Sequence, residues 1–143
     1  MSEEITGKSD ALPELESYLR ALRLKLLHLH KILLDMERAA YEKLFGSVNS
    51  GQLLQLVING TQFAWLRMIS ALVVEIDEAL DGLDEEAPPT AADMRSLLAQ
   101  ARLLLTCSDN QEFRQKYQAA LQREPDVVIA HSEVMDVLRK ESL

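Results

Sequence analysis

The chain has 143 residues, 48% of them apolar and 5% aromatic, with 23 Asp and Glu against 15 Lys and Arg, a formal net charge of -8. That length makes one domain with room for its own core. The acidity argues against a nucleic-acid binder, which needs clustered Lys and Arg to neutralise phosphates, and against an anionic membrane surface.

Residues 1–11 carry Glu3, Glu4 and Asp10 and no apolar run, which predicts a disordered tail and not a secretory signal peptide. A single helical-bundle domain is expected over 12–143. Pro13 is placed to open the first helix and Gly46 to close it. Between them Leu12, Leu15, Leu19, Leu22, Leu26, Leu29, Leu33, Met36 and Ala40 recur at alternating spacings of three and four, the seam of a bundle or coiled coil. Leu27, Leu34 and Tyr41 form a second row beside it, so the helix is expected to contact more than one neighbour.

Four capping boxes predict further helix starts, because each sets Asn, Ser or Thr three residues before an acid or amide. They are Asn49 with Gln52, Asn59 with Gln62, Thr90 with Asp93, and Ser108 with Gln111. The expected helices run over about 50–58, 61–81, 91–106, 109–123 and 125–140. The stripe of the second of these is Trp65, Ile69, Leu72, Ile76 and Ala79, and Gly82 ends it. An acidic loop at about 82–90 holds Pro88 and Pro89. No sustained period-two alternation occurs. The fold class expected is therefore all-α: an antiparallel helical bundle of about five to six helices with one long N-terminal helix. The apolar stretch Ala71 to Val74 stops at Glu75, far short of the roughly 20 residues of a membrane span. With one cysteine and thus no intramolecular disulfide, the expected location is the cytoplasm.

Two segments, Gln62-Phe63-Ala64-Trp65-Leu66-Arg67 and Pro125-Asp126-Val127-Val128-Ile129-Ala130-His131, resemble parts of small bacterial all-helical proteins with no assigned function. The resemblance implies an all-helical fold and a bacterial origin, and it brings no activity, cofactor or catalytic residue.

Reaction centres are hard to find. Glu-x-x-His, His-Glu-x-x-His, Cys-x-x-Cys, an EF-hand loop and a Gly-rich phosphate loop are all absent from the sequence. No metal, cofactor or catalytic residue is expected. His28 points away from the leucine seam. His30 shares a polar row with Arg23 and Glu37 between the two apolar rows. That row suits a buried network fixing helix register, or else a ligand-binding cleft to which His131 of the last helix contributes. Cys107 lacks a neighbouring base and is expected to be a small, half-buried apolar residue. Trp65 is expected in the core.

Arg67 is the only base between Lys43 and Arg95, suited to an ion pair with a neighbouring helix or to an anionic group. From Met68 to Met94 there are 8 acids and no base, so the remainder of the chain is neutral, with 15 of each. Glu75, Asp77, Glu78 and Asp81 crowd the last turns of a helix, where the macrodipole favours cations. With Glu85 they make a concentrated anionic patch: solvated surface, a docking site for a basic protein, or a weak divalent-cation site. The function expected is protein–protein association, as a homo-oligomer or with a regulatory or scaffold partner, and more plausibly not an enzyme. The alternative is a ligand-binding or enzymatic bundle around His30.

Overall fold

The computed structural model describes the backbone of residues 2–142 and the side chains of residues 12–141. The expected tail over residues 1–11 therefore lies outside the described side chains. Six helices follow in order: α1 (Ser2–Phe45), α2 (Ser50–Asn59), α3 (Arg67–Asp81), α4 (Ala91–Cys107), α5 (Gln111–Arg123) and α6 (Pro125–Ser142). There is no strand among the described residues, and the fold is an all-α bundle.

α1 is rich in Leu, Arg, Lys, Glu and Ala, all good helix formers, and its seam does most of the packing. Leu15, Leu19, Leu22, Leu26, Leu29 and Leu33 are buried, five of them with no exposed surface. Each buried leucine contributes on the order of 1.5–3 kcal/mol. They meet Ile69, Ile76, Met94, Leu98, Val127, Val134 and Leu138 from α3, α4 and α6 in one core. Pro13 lies inside α1 and does not open it. The helix ends as expected at Gly46, whose φ of 88° only glycine adopts freely, and its N–H donates to the Glu42 carbonyl at 2.9 Å.

Cross-helix contacts set the directions. Tyr18 donates to the Lys140 carbonyl at 3.4 Å, and Lys25 pairs with Glu133 at 3.4 Å, so α6 runs antiparallel to α1. Arg23 meets Asp77 while Glu37 meets Trp65, so α3 is antiparallel to α1 as well. α6 begins at Pro125, level with residues 32–36 of α1. Beyond Met36 the seam has outrun its neighbours: Met36 is only partly buried and Ala40 is exposed. The last two turns of α1 overhang the bundle. In the second row Leu34 and Tyr41 pack against the core, but Leu27 is exposed.

Two of the capping boxes form and two do not. Asn49 with Gln52 and Thr90 with Asp93 each show both reciprocal bonds. Asn59 instead closes α2, and Gln62 reaches across to donate to the Glu37 carbonyl at 3.2 Å. The expected helix over 61–81 thus starts as a 3-10 turn, Ala64–Leu66, and becomes α3 only at Arg67. α5 is capped by Asn110, whose side chain accepts from the Phe113 N–H at 2.9 Å, while Ser108 accepts from the Asn110 N–H at 3.1 Å. The true start lies two residues later than Ser108 because Asn is the equally good cap nearer the buried Phe113.

Candidate functional site

The row Arg23, His30, Glu37 faces α3. Arg23 forms an ion pair with Asp77, and the Glu37 carboxylate accepts the Trp65 indole N–H at 2.8 Å. The Glu37 carbonyl also holds Gln62. His30 lies between them, half-buried, and no hydrogen bond or ion pair among the described residues involves its ring. The row therefore joins α1 to α3 along its length, with both charged ends already engaged.

His131 is brought elsewhere. On α6 the buried positions are Val127, Ala130, Val134 and Leu138, which leaves His131 at the edge, half-buried. There its Nδ1 lies 2.7 Å from the hydroxyl of Tyr117 on α5. Tyr117 is buried, and burial pushes its hydroxyl above the usual phenol range. The hydroxyl keeps its proton, and it shares a hydrogen bond with Nδ1 whose direction follows the tautomer of the neutral imidazole. Trp65, Phe113, Tyr117 and His131 continue as a run of neighbouring rings with centroids 5.6, 5.3 and 5.6 Å apart. His131 belongs to the α5–α6 contact, whereas His30 stands on α1 between the Arg23–Asp77 and Glu37–Trp65 ties.

Burial lowers the pKa of both His30 and His131 below the ordinary imidazole value. Each is favoured neutral in the fold, so the unfolded chain takes up the proton first. Their contribution is fully present above about pH 6.5 and is lost as pH falls through the lowered folded values. The thermal midpoint is expected to drop between about pH 7.5 and 5.5. His30→Gln and His131→Gln are expected to flatten that slope. Identical slopes in all variants would place the pH response elsewhere.

Arg67 is occupied by backbone and not by an acid. Its guanidinium donates to the Val57 carbonyl at 3.3 and 3.1 Å and to the Ile58 carbonyl, closing the C-terminus of α2. Of the anionic patch, Asp77 is tied to Arg23, and Glu75, Glu78, Asp81 and Glu85 are exposed. Asp81 also borders a small cleft with Arg20 and Arg23, so bases of α1 offset part of the charge excess at the end of α3. Trp65 is in the core as expected. Cys107 is exposed rather than half-buried, because it is the last residue of α4 and points beyond the buried Leu105 and Ser108.

The sequence reasoning placed α2 and its Asn49–Gln52 cap but missed its exposure. Five of its ten residues are Leu, Val or Ile, yet none of its residues, all of them described, is buried. The helix is tied on by polar bonds: Arg38 donates to the Val48 carbonyl at 2.7 Å, the Val48 N–H donates to Glu42 at 2.8 Å, and Arg67 holds the far end. Leu53, Leu56 and Val57 touch the core, while Leu54 and Ile58 face outward, 56% and 53% exposed. On the overhang of α1, Leu44 and Phe45 are 78% and 68% exposed. An open cleft of about 570 Å³ lies between the two helices, lined by Tyr41, Phe45, Val48, Gln52, Gln55 and Leu56 among others. The usable signal was the lack of charge around α2, since a core helix keeps a polar face for solvent.

Fold and surface together define an all-α protein with a closed core and one apolar helix resting against it with no fully buried residue. Comparison with protein families, with curated proteins and with solved structures gave no match. Among the described residues no group of His, Cys, Asp and Glu is arranged to hold a metal ion. No single helix among them is long and apolar enough to cross a membrane. The pair formed by α2 and the segment Ala64–Asp84 is apolar enough jointly, with a bend of 78°, but Ile69, Leu72, Val73, Ile76 and Leu80 of that segment are buried in the core.

Proposed function

We propose that this protein is a non-enzymatic association module of the cytoplasm, which presents α2 and the overhanging end of α1 to a protein partner. The observation that carries this reading is that the apolar helix α2 has no fully buried residue: Leu53, Leu56 and Val57 only lean on the core, while Leu54 and Ile58 face outward. Contiguous apolar surface costs solubility, and where it is kept it marks an interaction site. An exposed free thiol at Cys107 suits a reducing compartment. A ligand-binding reading around His30 has less support, because Arg23 and Glu37 are already committed to Asp77 and Trp65.

A photo-crosslinking residue placed at position 54, in cells that express the protein, is expected to give a covalent protein adduct. The same residue at position 86, exposed in the acidic loop, is expected to give none. Equal labelling at the two positions, or no adduct at either, would remove the reading.

A further inference from the structure

We propose that the partner is a second copy of this chain, docked through α2 and the end of α1 across a two-fold axis. This rests on the association reading above and names its occupant. The first ground is charge. From Leu44 to Leu66 the sequence runs for 23 residues without Asp, Glu, Lys, Arg or His, whereas no other uncharged run exceeds 7 residues, Met68 to Val74. Two copies that each carry -8 repel one another where their acidic Met68–Met94 segments approach. The face built by α2 is where a second copy approaches with no like charge opposed.

The second ground is symmetry. In a two-fold interface, residues near the axis meet their own copies, so only self-complementary side chains fit there. Apolar groups qualify, and so do amides, which carry both donor and acceptor; carboxylates and ammonium groups do not. α2 has that composition. Leu54 and Ile58, four residues apart, share one outward face, while Gln52, Gln55 and Asn59 share another that borders the cleft. Asn59 donates to Gln55 at 3.1 Å, and the pair still presents a donor and an acceptor. The one acid among the described residues at this surface, Glu42 of α1, is already engaged by the Val48 N–H and Arg38, so a basic partner would find no uncommitted carboxylate here. A lipid surface would ordinarily be met by an amphipathic helix with Lys or Arg on its polar face, and α2 has none.

Sedimentation equilibrium on the full chain tests this. The mass is expected to rise from 16.1 kDa toward about twice that as concentration increases, and to do so more readily at high salt, which screens the repulsion between two acidic bodies. Leu54→Gln with Ile58→Gln, at two exposed positions, is expected to weaken the dimer about tenfold or more, roughly the effect of losing one buried anchor, with an unchanged far-ultraviolet circular dichroism melt. Gln55→Glu is expected to remain a monomer, while its equimolar mixture with Gln55→Lys recovers the dimer, since only opposed copies of one position give that rescue. A mass of 16.1 kDa at every concentration up to about 1 mM, weak even for specific contacts, overturns the proposal. So does a Gln55→Glu protein that dimerises like the parent, or a monomer that floats with phosphatidylcholine vesicles through α2. A monomer that still gives the position-54 adduct with a foreign protein overturns the second copy alone and leaves the association reading standing.

Discussion

Leu26→Ala is expected to cost about 2–5 kcal/mol of folding stability, whereas Leu24→Ala, two positions away on the same helix, costs no more than about 0.5 kcal/mol. Leu26 has no exposed surface and Leu24 is 61% exposed. Both changes delete the same atoms from residues of equal helix propensity, so the difference isolates burial. At Leu26 the lost transfer energy is joined by a cavity that α3, α4 and α6 cannot all collapse into, since each is held against α1 elsewhere. Trp65 is the single tryptophan and lies in the core, so its fluorescence reports unfolding without a label. With a urea slope of roughly 1–3 kcal/mol per molar, the Leu26→Ala midpoint is expected to fall by about 1–3 M. Equal shifts for the two variants would mean that the seam is not where α1 packs.

Trp65→Ala is expected to cost about 3–5 kcal/mol, the range for a buried aromatic. Trp65 sits on the 3-10 turn between α2 and α3, gives its N–H to Glu37 of α1, and packs on Phe113 of α5 with ring centroids 5.6 Å apart. Three parts of the chain meet on one side chain. Trp65→Phe keeps the packing but removes the donor. Glu37 is half-buried and keeps access to water, so this variant is expected to lose only about 1 kcal/mol. Thermal melts followed by far-ultraviolet circular dichroism give both values. A Trp65→Phe loss as large as that of Trp65→Ala would assign the stabilisation to the hydrogen bond and not to the ring.

The core of α1 was legible in the sequence because six leucines at three and four spacing admit one helical face and no other periodic structure. The end of that burial was not legible. Met36 and Ala40 continue the spacing, but a seam is covered only as far as its neighbours extend, and α6 begins level with residues 32–36. The same overhang explains α2: its Leu, Val and Ile content suggests a core helix, and only the three-dimensional arrangement leaves it outside. Helix starts depended on a similar competition. Asn59 and Gln62 have the spacing of a capping box, yet Gln62 finds the Glu37 carbonyl, 25 residues away in sequence, which no local pattern reveals. At the candidate sites, helical geometry sets Arg23 and Glu37 on one row, but their partners Asp77 and Trp65 became visible only in three dimensions. His131 and His30 share half-burial and a lowered pKa but sit on different helices.

The most extensive packing in the molecule joins α1 to α6, the first helix to the last, and this has a consequence during synthesis. Tyr18 and Lys140, 122 residues apart, cannot meet until α6 has emerged from the ribosome. At roughly 5–20 residues per second, the leucine seam of α1 waits about 5–25 seconds before its final cover arrives. Throughout that interval a stripe of leucines, uncharged along its face, is open to other nascent chains and to holding chaperones. A chain truncated before α6 would remain in that state, and its fate in the cell would be set by aggregation and proteolysis more than by the stability of the finished bundle.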